Sequence, residues 1–273
     1  MILLADSGAT KTHWCLLQKD APFQEFFTSG INPTYLSQED IELQIVKIEK
    51  PIQEVYFYGA GCAPEEAQDK MRRILMAFYP EACVQVESDM LAAARGLCGH
   101  HSGLVCILGT GSNSCYYDGE KIAEQVLPTG YLFGDEGSGY VLGRAILSAY
   151  LKKEMEADLY RKFKETYNYT FTSLINQVYG LKNPKAFIAS FSTFLSEHRA
   201  HPQMKRILET ELNLFLEMLR KYTVTQPLYF TGSIASVFEK ELTEIAQTLG
   251  FEVASIQKNP MQGLIAYHYE NMK

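Results

Sequence analysis

Residues 3–17 read LLADSGATKTHWCLL, and this stretch decides how the rest of the chain is interpreted. An apolar run ends at Asp6, four small or hydroxyl-bearing residues follow, and the chain then returns to an apolar run. Small residues at such a turn let backbone N–H groups approach a phosphate, and a carboxylate at the strand end can hold a hydrated Mg²⁺. The same residue types suit an ordinary β-hairpin turn, so this stretch alone leaves both interpretations open.

Two later stretches have the same character. Residues 107–114, ILGTGSNS, end an apolar strand-like run in a Gly-Thr-Gly-Ser turn, and residues 229–233, YFTGS, end another in Thr-Gly-Ser before a helical pattern. All three turns offer backbone N–H and hydroxyl donors of the kind that bind anions. Their recurrence in one chain favours phosphate binding over three unrelated turns.

Length, charge and cysteine usage narrow the class of protein. A chain of 273 residues allows one large domain or two medium ones. The net charge of -7, with no long run of Lys or Arg, argues against a nucleic-acid or anionic-membrane partner. The first apolar run is too short for a signal peptide and none reaches about 18 residues, so we expect a cytoplasmic protein. The six cysteines form no C-x-x-C pair, which favours a reduced interior.

The order of strand and helix patterns predicts an α/β protein with an internal repeat. In the first half we expect strands at residues 2–5, 14–18, 23–28, 54–58 and 84–87, and helices at 37–47, 65–78 and 90–97. In the second half we expect strands at 104–108, 112–117, 121–126, 228–230 and 251–254, and helical regions at 139–222, 235–249 and 262–269. Each half begins with an apolar strand that ends in one of the phosphate-type turns, which indicates a mixed sheet in each half.

GTGSNS at residues 109–114, followed by GYLFGDEGSGY at 130–140, resembles the N-acetylglucosamine kinase branch of the sugar kinase, chaperone and actin superfamily, grouped with the BadF-type ATPases. The resemblance implies an α/β fold of two ribonuclease H-like lobes with mixed sheets and a central nucleotide cleft. The first lobe would comprise residues 1–108 with the C-terminal helix 260–273, and the second residues 109–259 with a helical insertion. The implied cofactors are ATP and Mg²⁺.

The same resemblance implies the residues that bind the nucleotide. Asp6 would hold Mg²⁺. The nucleotide-binding residues would be Ser7, Gly8, Ala9, Thr10, Lys11, Thr12, Gly109, Thr110, Gly111, Ser112, Gly232 and Ser233. For Lys11, a solvated position at a strand edge is an equally good interpretation.

The resemblance places a catalytic aspartate after the last strand of the first sheet, where residues 86–96 read VESDMLAAARG. Asp89 occupies that position and would act as the general base that accepts the proton of the attacking sugar hydroxyl. An Asp at the start of a helix can instead serve as its N-cap. Glu87 is the second choice for the base.

For the sugar, the resemblance implies contacts from two loops and from the residues already named. The implied sugar-binding residues are Asn32 of TSGINP, Asp89, Thr110, Gly130, Tyr131 and Asp135. Related enzymes tend to have Trp where this chain has Tyr131, which leaves the exact sugar open. Asp135 and Glu136 could alternatively form an acidic cap on the helix that follows.

These expectations combine into one functional hypothesis. We expect an ATP-dependent phosphotransferase that acts on the 6-hydroxyl of N-acetylglucosamine or a related amino sugar, with a homodimer left open. The alternative is a BadF-type ATPase that works as a nucleotide-driven activator or switch without phosphorylating a sugar, because a shared fold does not decide function.

Overall fold

The structure is a computed structural model, and it describes residues 1–19, 21–181 and 183–270. Ten strands form two five-stranded sheets. The strands of the first sheet are β1 (Ile2–Ser7), β2 (Lys11–Leu17), β3 (Gln24–Ser29), β4 (Glu54–Gly59) and β5 (Cys83–Ser88). Those of the second are β6 (Gly103–Leu108), β7 (Ser112–Tyr117), β8 (Ile122–Glu124), β9 (Leu228–Thr231) and β10 (Val253–Gln257).

Both sheets have the same strand order, which confirms the expected α/β class and the repeat of two ribonuclease H-like units. The first sheet runs β3-β2-β1-β4-β5, and the second runs β8-β7-β6-β9-β10. In the first sheet, β1 pairs antiparallel with β2 and parallel with β4, so the sheet is mixed. The repeat is visible as topology although the two halves share little residue identity.

The first four residues of strand β1 are apolar because both faces of its sheet are covered. Leu3 and Ala5 pack into the cluster on one face with Trp14, whereas Ile2 and Leu4 pack into the cluster on the other. The parallel strands β1, β4 and β5 align so that Ser7, Gly59 and Ser88 lie at neighbouring positions. Their carboxyl ends therefore form one edge of the sheet, which is where ligands bind in sheets of this kind.

The helices of the first half are α1 (Gln38–Glu42), α2 (Glu65–Phe78) and α3 (Asp89–Cys98). Those of the second half are α4 (Gly130–Phe133), α5 (Gly139–Leu151), α6 (Ala157–Tyr167), α7 (Phe171–Gly180), α8 (Lys185–Ser190), α9 (Ser192–Glu197), α10 (Pro202–Met218), α11 (Ser233–Val237), α12 (Glu239–Thr248) and α13 (Met261–Glu270). The expected helix 37–47 was wrong in its length, because α1 ends at Glu42. The expected helix 235–249 is divided between α11 and α12, the helical region 139–222 is divided among α5 to α10, and the expected strand 121–126 covers only the three residues of β8. Helix α4 was not expected. Residues 271–273 of the expected C-terminal helix lie outside the described residues.

The chain divides into two compact units. Unit 1 comprises Met1–Val105, Tyr117–Ala123 and the segment from Asn259 onward, and unit 2 comprises Cys106–Tyr116 and Glu124–Lys258. No helix in the described part of the chain is both long enough and apolar enough to span a bilayer.

Within unit 1, helix α13 packs against α3 at two glycines. A Cβ added at Gly263 would lie 1.6 Å from the Gly96 carbonyl oxygen, and one at Gly96 would lie 2.5 Å from the Pro260 oxygen. Only glycine permits backbones to approach this closely. The contact fixes the position of α3, the helix that begins at Asp89.

A buried hydrogen-bond chain lies beside this contact. Arg95 Nη1 donates to the Tyr58 hydroxyl over 2.9 Å, and that hydroxyl lies 2.9 Å from His268 Nε2. The Tyr58 oxygen accepts from Arg95, and its own proton can be donated to Nε2 of a neutral His268 imidazole. Burial, with a smaller effect of the Arg95 charge, lowers the pKa of His268 to about 4, which agrees with this neutral form.

Candidate active site

In unit 1 the first phosphate-type turn, between Ser7 and Thr12, is a tight hairpin. The hydroxyl groups of these two flanking residues point into the protein. Ser7 Oγ and Thr12 Oγ1 are buried and lie 2.7 Å apart. Ser7 Oγ also accepts from the Ile31 N–H, and Thr12 donates to the Ser29 carbonyl. These two side chains hold the turn in place, so any contact they make with a nucleotide would be through the backbone of the loop.

The tip of this turn is exposed and closely supported from below. Residues 8–10 are exposed, and the Gly8 N–H donates to the Lys11 carbonyl over 2.9 Å. A Cβ on Gly30 would lie 2.4 Å from the Gly8 oxygen, so the tip rests directly on this glycine. The Lys11 ammonium lies 3.7 Å from the centre of the Phe27 ring, which is an exposed cation–π contact. Lys11 therefore rests on a ring of the neighbouring strand β3, and the strand-edge interpretation was wrong because β2 lies inside the sheet, between β3 and β1.

Asp6 and Asp89 form an electrostatically coupled pair of carboxyl groups at the same edge of the first sheet. Asp6 lies near the end of β1, and Asp89 is the first residue of α3, directly after β5. Burial and, to a smaller extent, the charge of Asp89 raise the pKa of Asp6 to about 7. Carboxylate oxygens are ligands of the kind that Mg²⁺ prefers, so the Asp6–Asp89 pair fits a divalent cation.

Asp89 does not cap its own helix. The N-cap is Ser88, whose side chain accepts from the Leu91 N–H over 3.2 Å. The capping interpretation of Asp89 was therefore wrong, since the neighbouring serine already satisfies that N–H group. Glu87, the second choice for the base, is half-buried in β5 beside Tyr58 of β4.

Asn32 is held close to the same sheet edge by a glycine in the loop after β4. Its side-chain oxygen accepts from the Thr34 N–H over 3.0 Å. A Cβ on Gly61 would lie 2.2 Å from that oxygen, and Gly61 has a φ of 83°. Gly61 is thus required twice, for its backbone conformation and for the space that Asn32 occupies.

In unit 2 the second phosphate-type turn, at residues 109–112, and the third, at residues 231–233, lie together. The Gly109 N–H donates to the Gly111 carbonyl over 2.9 Å, and Gly139 and Tyr140 at the start of α5 donate to the carbonyls of Gly109 and Thr110. Gly232, with a φ of 112°, lies so close to Leu108 that a Cβ would be 2.3 Å from its carbonyl oxygen. Ser233 follows as the first residue of α11. The structure therefore brings together the unit 2 residues that were expected to bind nucleotide.

Asp135 is buried beside the second turn and is not a helix cap. Its backbone has a φ of 63°, and its Oδ1 accepts from the Ser112 N–H over 3.2 Å. Its Oδ2 lies 2.8 Å from Lys185 Nζ. Ser138, not the acidic pair, is the N-cap of α5, so the interpretation of residues 135 and 136 as a cap was wrong.

Gly130 and Tyr131 open the short helix α4 in the loop before Asp135. Gly130 has a φ of 69°, and Tyr131 packs edge-on against Tyr140 with ring centres 5.1 Å apart. A cavity of about 170 Å³ lies between this loop and the second turn. Its polar lining residues are Ser112, Asn113, Ser114, Thr129, Asp135, Glu136 and Lys221.

The sequence interpretation missed two residues of this region. Asn113 directly follows the turn, and its side-chain oxygen accepts from the Ser114 N–H and from Gln125. It was part of the quoted motif, so a polar side chain next to the turn could have been singled out. Lys185 lies far from the turn in sequence and belongs to no motif, and only the tertiary structure places it there.

A third group of ionisable residues lies elsewhere in unit 2. His201 Nε2 lies 3.6 Å from Glu156 and 3.5 Å from Asp158. His201 Nδ1 accepts from the Gln203 N–H at the start of α10, so the ring carries its proton on Nε2. An Nε2 that carries the proton has no lone pair for a metal, so in this tautomer the neutral ring faces the two carboxylates as an N–H donor.

Comparison with known proteins connects these features to a family. The chain is similar to a candidate N-acetylglucosamine kinase from Porphyromonas gingivalis, with 38% identity, full coverage of both chains and a TM-score of 0.93. A candidate N-acetylglucosamine kinase from Chromobacterium violaceum is 16% identical over 97% of this chain and 98% of its own, with a TM-score of 0.76. A glucokinase of the ROK family from Streptomyces griseus, in complex with glucose and AMPPNP, shares the fold at 15% identity, with 97% of each chain covered and a TM-score of 0.59.

No family model matches the chain, and no curated protein matches it. The full-length match at 38% identity is nevertheless sufficient, because the sequence motifs, the repeated sheet topology and the fold all agree with it. The chain belongs to the N-acetylglucosamine kinase and BadF-type ATPase branch of the sugar kinase, chaperone and actin superfamily.

Proposed function

We propose that this protein transfers the γ-phosphoryl group of ATP to the 6-hydroxyl of N-acetylglucosamine or a related amino sugar. The observation that carries the proposal is the full-length similarity to the candidate N-acetylglucosamine kinase of P. gingivalis. The geometry of each unit supports it independently. Unit 1 supplies a coupled carboxylate pair at a sheet edge, and unit 2 supplies a glycine-rich turn held by the start of a helix.

In this proposal Asp89 is the general base. It accepts the proton of the sugar hydroxyl while that oxygen bonds to the γ-phosphorus, and the bond to the β-phosphate oxygen breaks to release ADP. Ser88, and not Asp89, is the N-cap of α3, and the α3–α13 contact fixes the helix that carries Asp89. A positioned base of this kind contributes about 10²–10⁴-fold to the rate.

Asp6 would hold Mg²⁺, which when bound neutralises charge on the phosphates. The carboxyl group of Asp6 is costly to ionise beside Asp89, and a nearby cation removes that cost. The N–H groups of Ala9 and Thr10 in unit 1 and of Thr110 and Gly111 in unit 2 would donate to phosphate oxygens, because those of Gly8 and Gly109 already donate within their own turns. Gly232 and Ser233 would lie near the adenosine. These roles follow from the exposed tip of the first turn and from the clustering of the unit 2 turns.

For the sugar, we propose contacts from Asn32 in unit 1 and from Gly130, Tyr131 and Asp135 in unit 2. A carboxylate has about four acceptor positions, so Asp135 can accept from a sugar hydroxyl while it keeps its hydrogen bond from the Ser112 N–H and its ion pair with Lys185. The Tyr131 ring offers an apolar face for a pyranose. Its packing against Tyr140 fixes its position beside α5.

A coupled assay of ADP release tests the proposal. The purified protein is supplied with ATP and Mg²⁺, with and without N-acetylglucosamine, glucosamine, N-acetylmannosamine and glucose. We expect ADP production that depends on an amino sugar and is lost in Asp89→Asn. ADP production of equal rate with and without every sugar would instead indicate the nucleotide-driven switch.

A further inference from the structure

Lys185 places its ammonium group over the second phosphate-type turn. Its Nζ lies 2.8 Å from Asp135 Oδ2, and a Cβ on Gly111 would lie only 2.4 Å from that Nζ. The Asp135 side chain is 5% exposed, whereas that of Lys185 is 25% exposed. The ammonium group therefore has a buried carboxylate on one side and reaches solvent on another.

The scaffold holds this lysine and the turn in one arrangement. Helix α8 begins at Lys185 and packs on α5 so closely that a Cβ on Gly143 would lie 1.9 Å from the Ile188 carbonyl oxygen. The first residue of α5, Gly139, donates its N–H to the Gly109 carbonyl of the turn over 2.8 Å. Because α5 contacts both, the position of Lys185 relative to the turn is fixed by backbone packing.

The hydrogen-bond donors around the turn are not all used. An ammonium group has three N–H donors, and Asp135 can occupy only part of this capacity. Within the described part of the chain, the N–H groups of Thr110 and Gly111 donate to no protein acceptor. An anion at the turn could therefore accept from these N–H groups and from Lys185, which is the donor set of a phosphate site.

An ion pair with a merely structural role would be an alternative explanation of the Lys185–Asp135 contact. A structural ion pair would not require glycine at position 111. With glycine there, the Lys185 ammonium lies beside a turn whose Thr110 and Gly111 N–H groups have no protein acceptor among the described residues. Building on the proposed function, we propose that Lys185 binds a phosphate oxygen of the nucleotide and that Asp135 positions its ammonium group. Asp135 is thus a positioning residue for the nucleotide in addition to any contact with the sugar.

Equilibrium binding measured by calorimetry without sugar tests the role of Lys185. We expect Lys185→Met to weaken ATP binding by about 10- to 100-fold, the range expected for a hydrogen bond to a charged group, and to leave adenosine binding unchanged. Lys185→Arg should retain most of the affinity because it keeps the charge. Lys240→Met, which removes an exposed lysine paired only with Glu244, is the matched control and should bind ATP as the wild type does. ATP binding by Lys185→Met within twofold of the wild type would overturn the inference.

A double-mutant cycle tests the positioning role of Asp135. Asp135→Asn keeps an oxygen for the Ser112 N–H but removes the charge that holds Lys185. We expect it to weaken ATP binding in the wild-type background and to have little further effect in Lys185→Met. Equal effects in both backgrounds would show that Asp135 does not act through Lys185.

Failure of this inference is distinguishable from failure of the proposed function. If the wild type binds ATP through Lys185 but phosphorylates no sugar, the nucleotide contact stands and the kinase proposal falls. If the wild type phosphorylates a sugar and Lys185→Met binds ATP normally, only the inference falls. A wild type that binds no ATP would overturn both.

Discussion

Substitution of Gly263 by alanine tests whether the α3–α13 contact is as close as the structure has it. The added methyl carbon would lie 1.6 Å from the Gly96 carbonyl oxygen and 2.6 Å from its carbonyl carbon. Ordinary contact begins near 3.4 Å, so the two helices would need to separate by about 1.8 Å along that line. Because both clashing atoms belong to the backbone of α3, no side-chain rotation relieves the overlap.

Three contributions determine how much Gly263→Ala changes the free energy of unfolding, two that lower it and one that raises it. Overpacking of a rigid contact costs about 3 kcal/mol at the upper end of its usual range. Alanine offsets up to about 1 kcal/mol because it favours a helix over glycine. Separation of the helices also strains the Tyr58–His268 hydrogen bond, which contributes about 1 kcal/mol. We expect Gly263→Ala to lower the free energy of unfolding by about 3 kcal/mol.

Urea denaturation followed by tryptophan fluorescence measures this change directly. The chain has a single tryptophan, Trp14, and it is fully buried in the sheet of unit 1, the unit that contains α13. Gly180→Ala is the matched control, since Gly180 ends helix α7 and a Cβ there meets no atom within 4 Å. An unchanged unfolding midpoint for Gly263→Ala would refute the close packing of α13 on α3.

Three further predictions concern unit 1. Asp89→Asn should lower kcat by about 10²–10⁴-fold, as measured by ADP release, while ATP affinity remains within a few-fold of the wild type. Asp6→Asn should raise the Mg²⁺ concentration needed for half-maximal activity and lower kcat, as measured by a Mg²⁺ titration of the same assay. Because the unfolded chain binds a proton at His268 near pH 6.5 and the folded chain only near pH 4, stability should fall by about 2 kcal/mol between pH 7.5 and 5 from this group. Urea midpoints over that range measure the change, and His268→Gln should remove this part of the pH dependence.

Each of these three predictions has a result that would contradict it. Near-wild-type turnover by Asp89→Asn would remove this residue from the mechanism, and an unchanged Mg²⁺ requirement in Asp6→Asn would assign it to the hairpin alone. For His268, the two proteins must differ in slope: identical pH profiles for the wild type and His268→Gln would mean that the imidazole is not held neutral by its burial beside Tyr58 and Arg95.

Local patterns in the sequence predicted most of the fold because the strands are apolar and their turns are chemically distinctive. The alternation of Leu3 and Ala5 with Ile2 and Leu4 reflects a sheet covered on both faces, and the sequence shows this as one uninterrupted apolar run. The long helical region was less well predicted. Its interruptions carry local signals that could have been used, including Asn168 in the left-handed conformation and Pro202 at the start of α10.

Tertiary contacts between distant residues could not be predicted in the same way. The approach of Gly263 to Gly96 joins positions far apart in sequence, and each glycine alone resembles a weak point in a helix. Lys185 reaches Gly111 only because α8 packs on α5 through Gly143. Asp89 was expected as a possible cap of α3, and the structure gives that role to the preceding residue, Ser88.

In the proposed function, Asp89 directs the γ-phosphoryl group of ATP to one hydroxyl of an amino sugar. The most direct measurement is phosphorus and proton NMR of the products formed from equimolar ATP and N-acetylglucosamine by the wild type and by Asp89→Asn. We predict one equivalent each of ADP and N-acetylglucosamine 6-phosphate from the wild type and almost no product from the variant in the same time. Free phosphate with unmodified sugar, or a phosphate on another hydroxyl, would contradict the account.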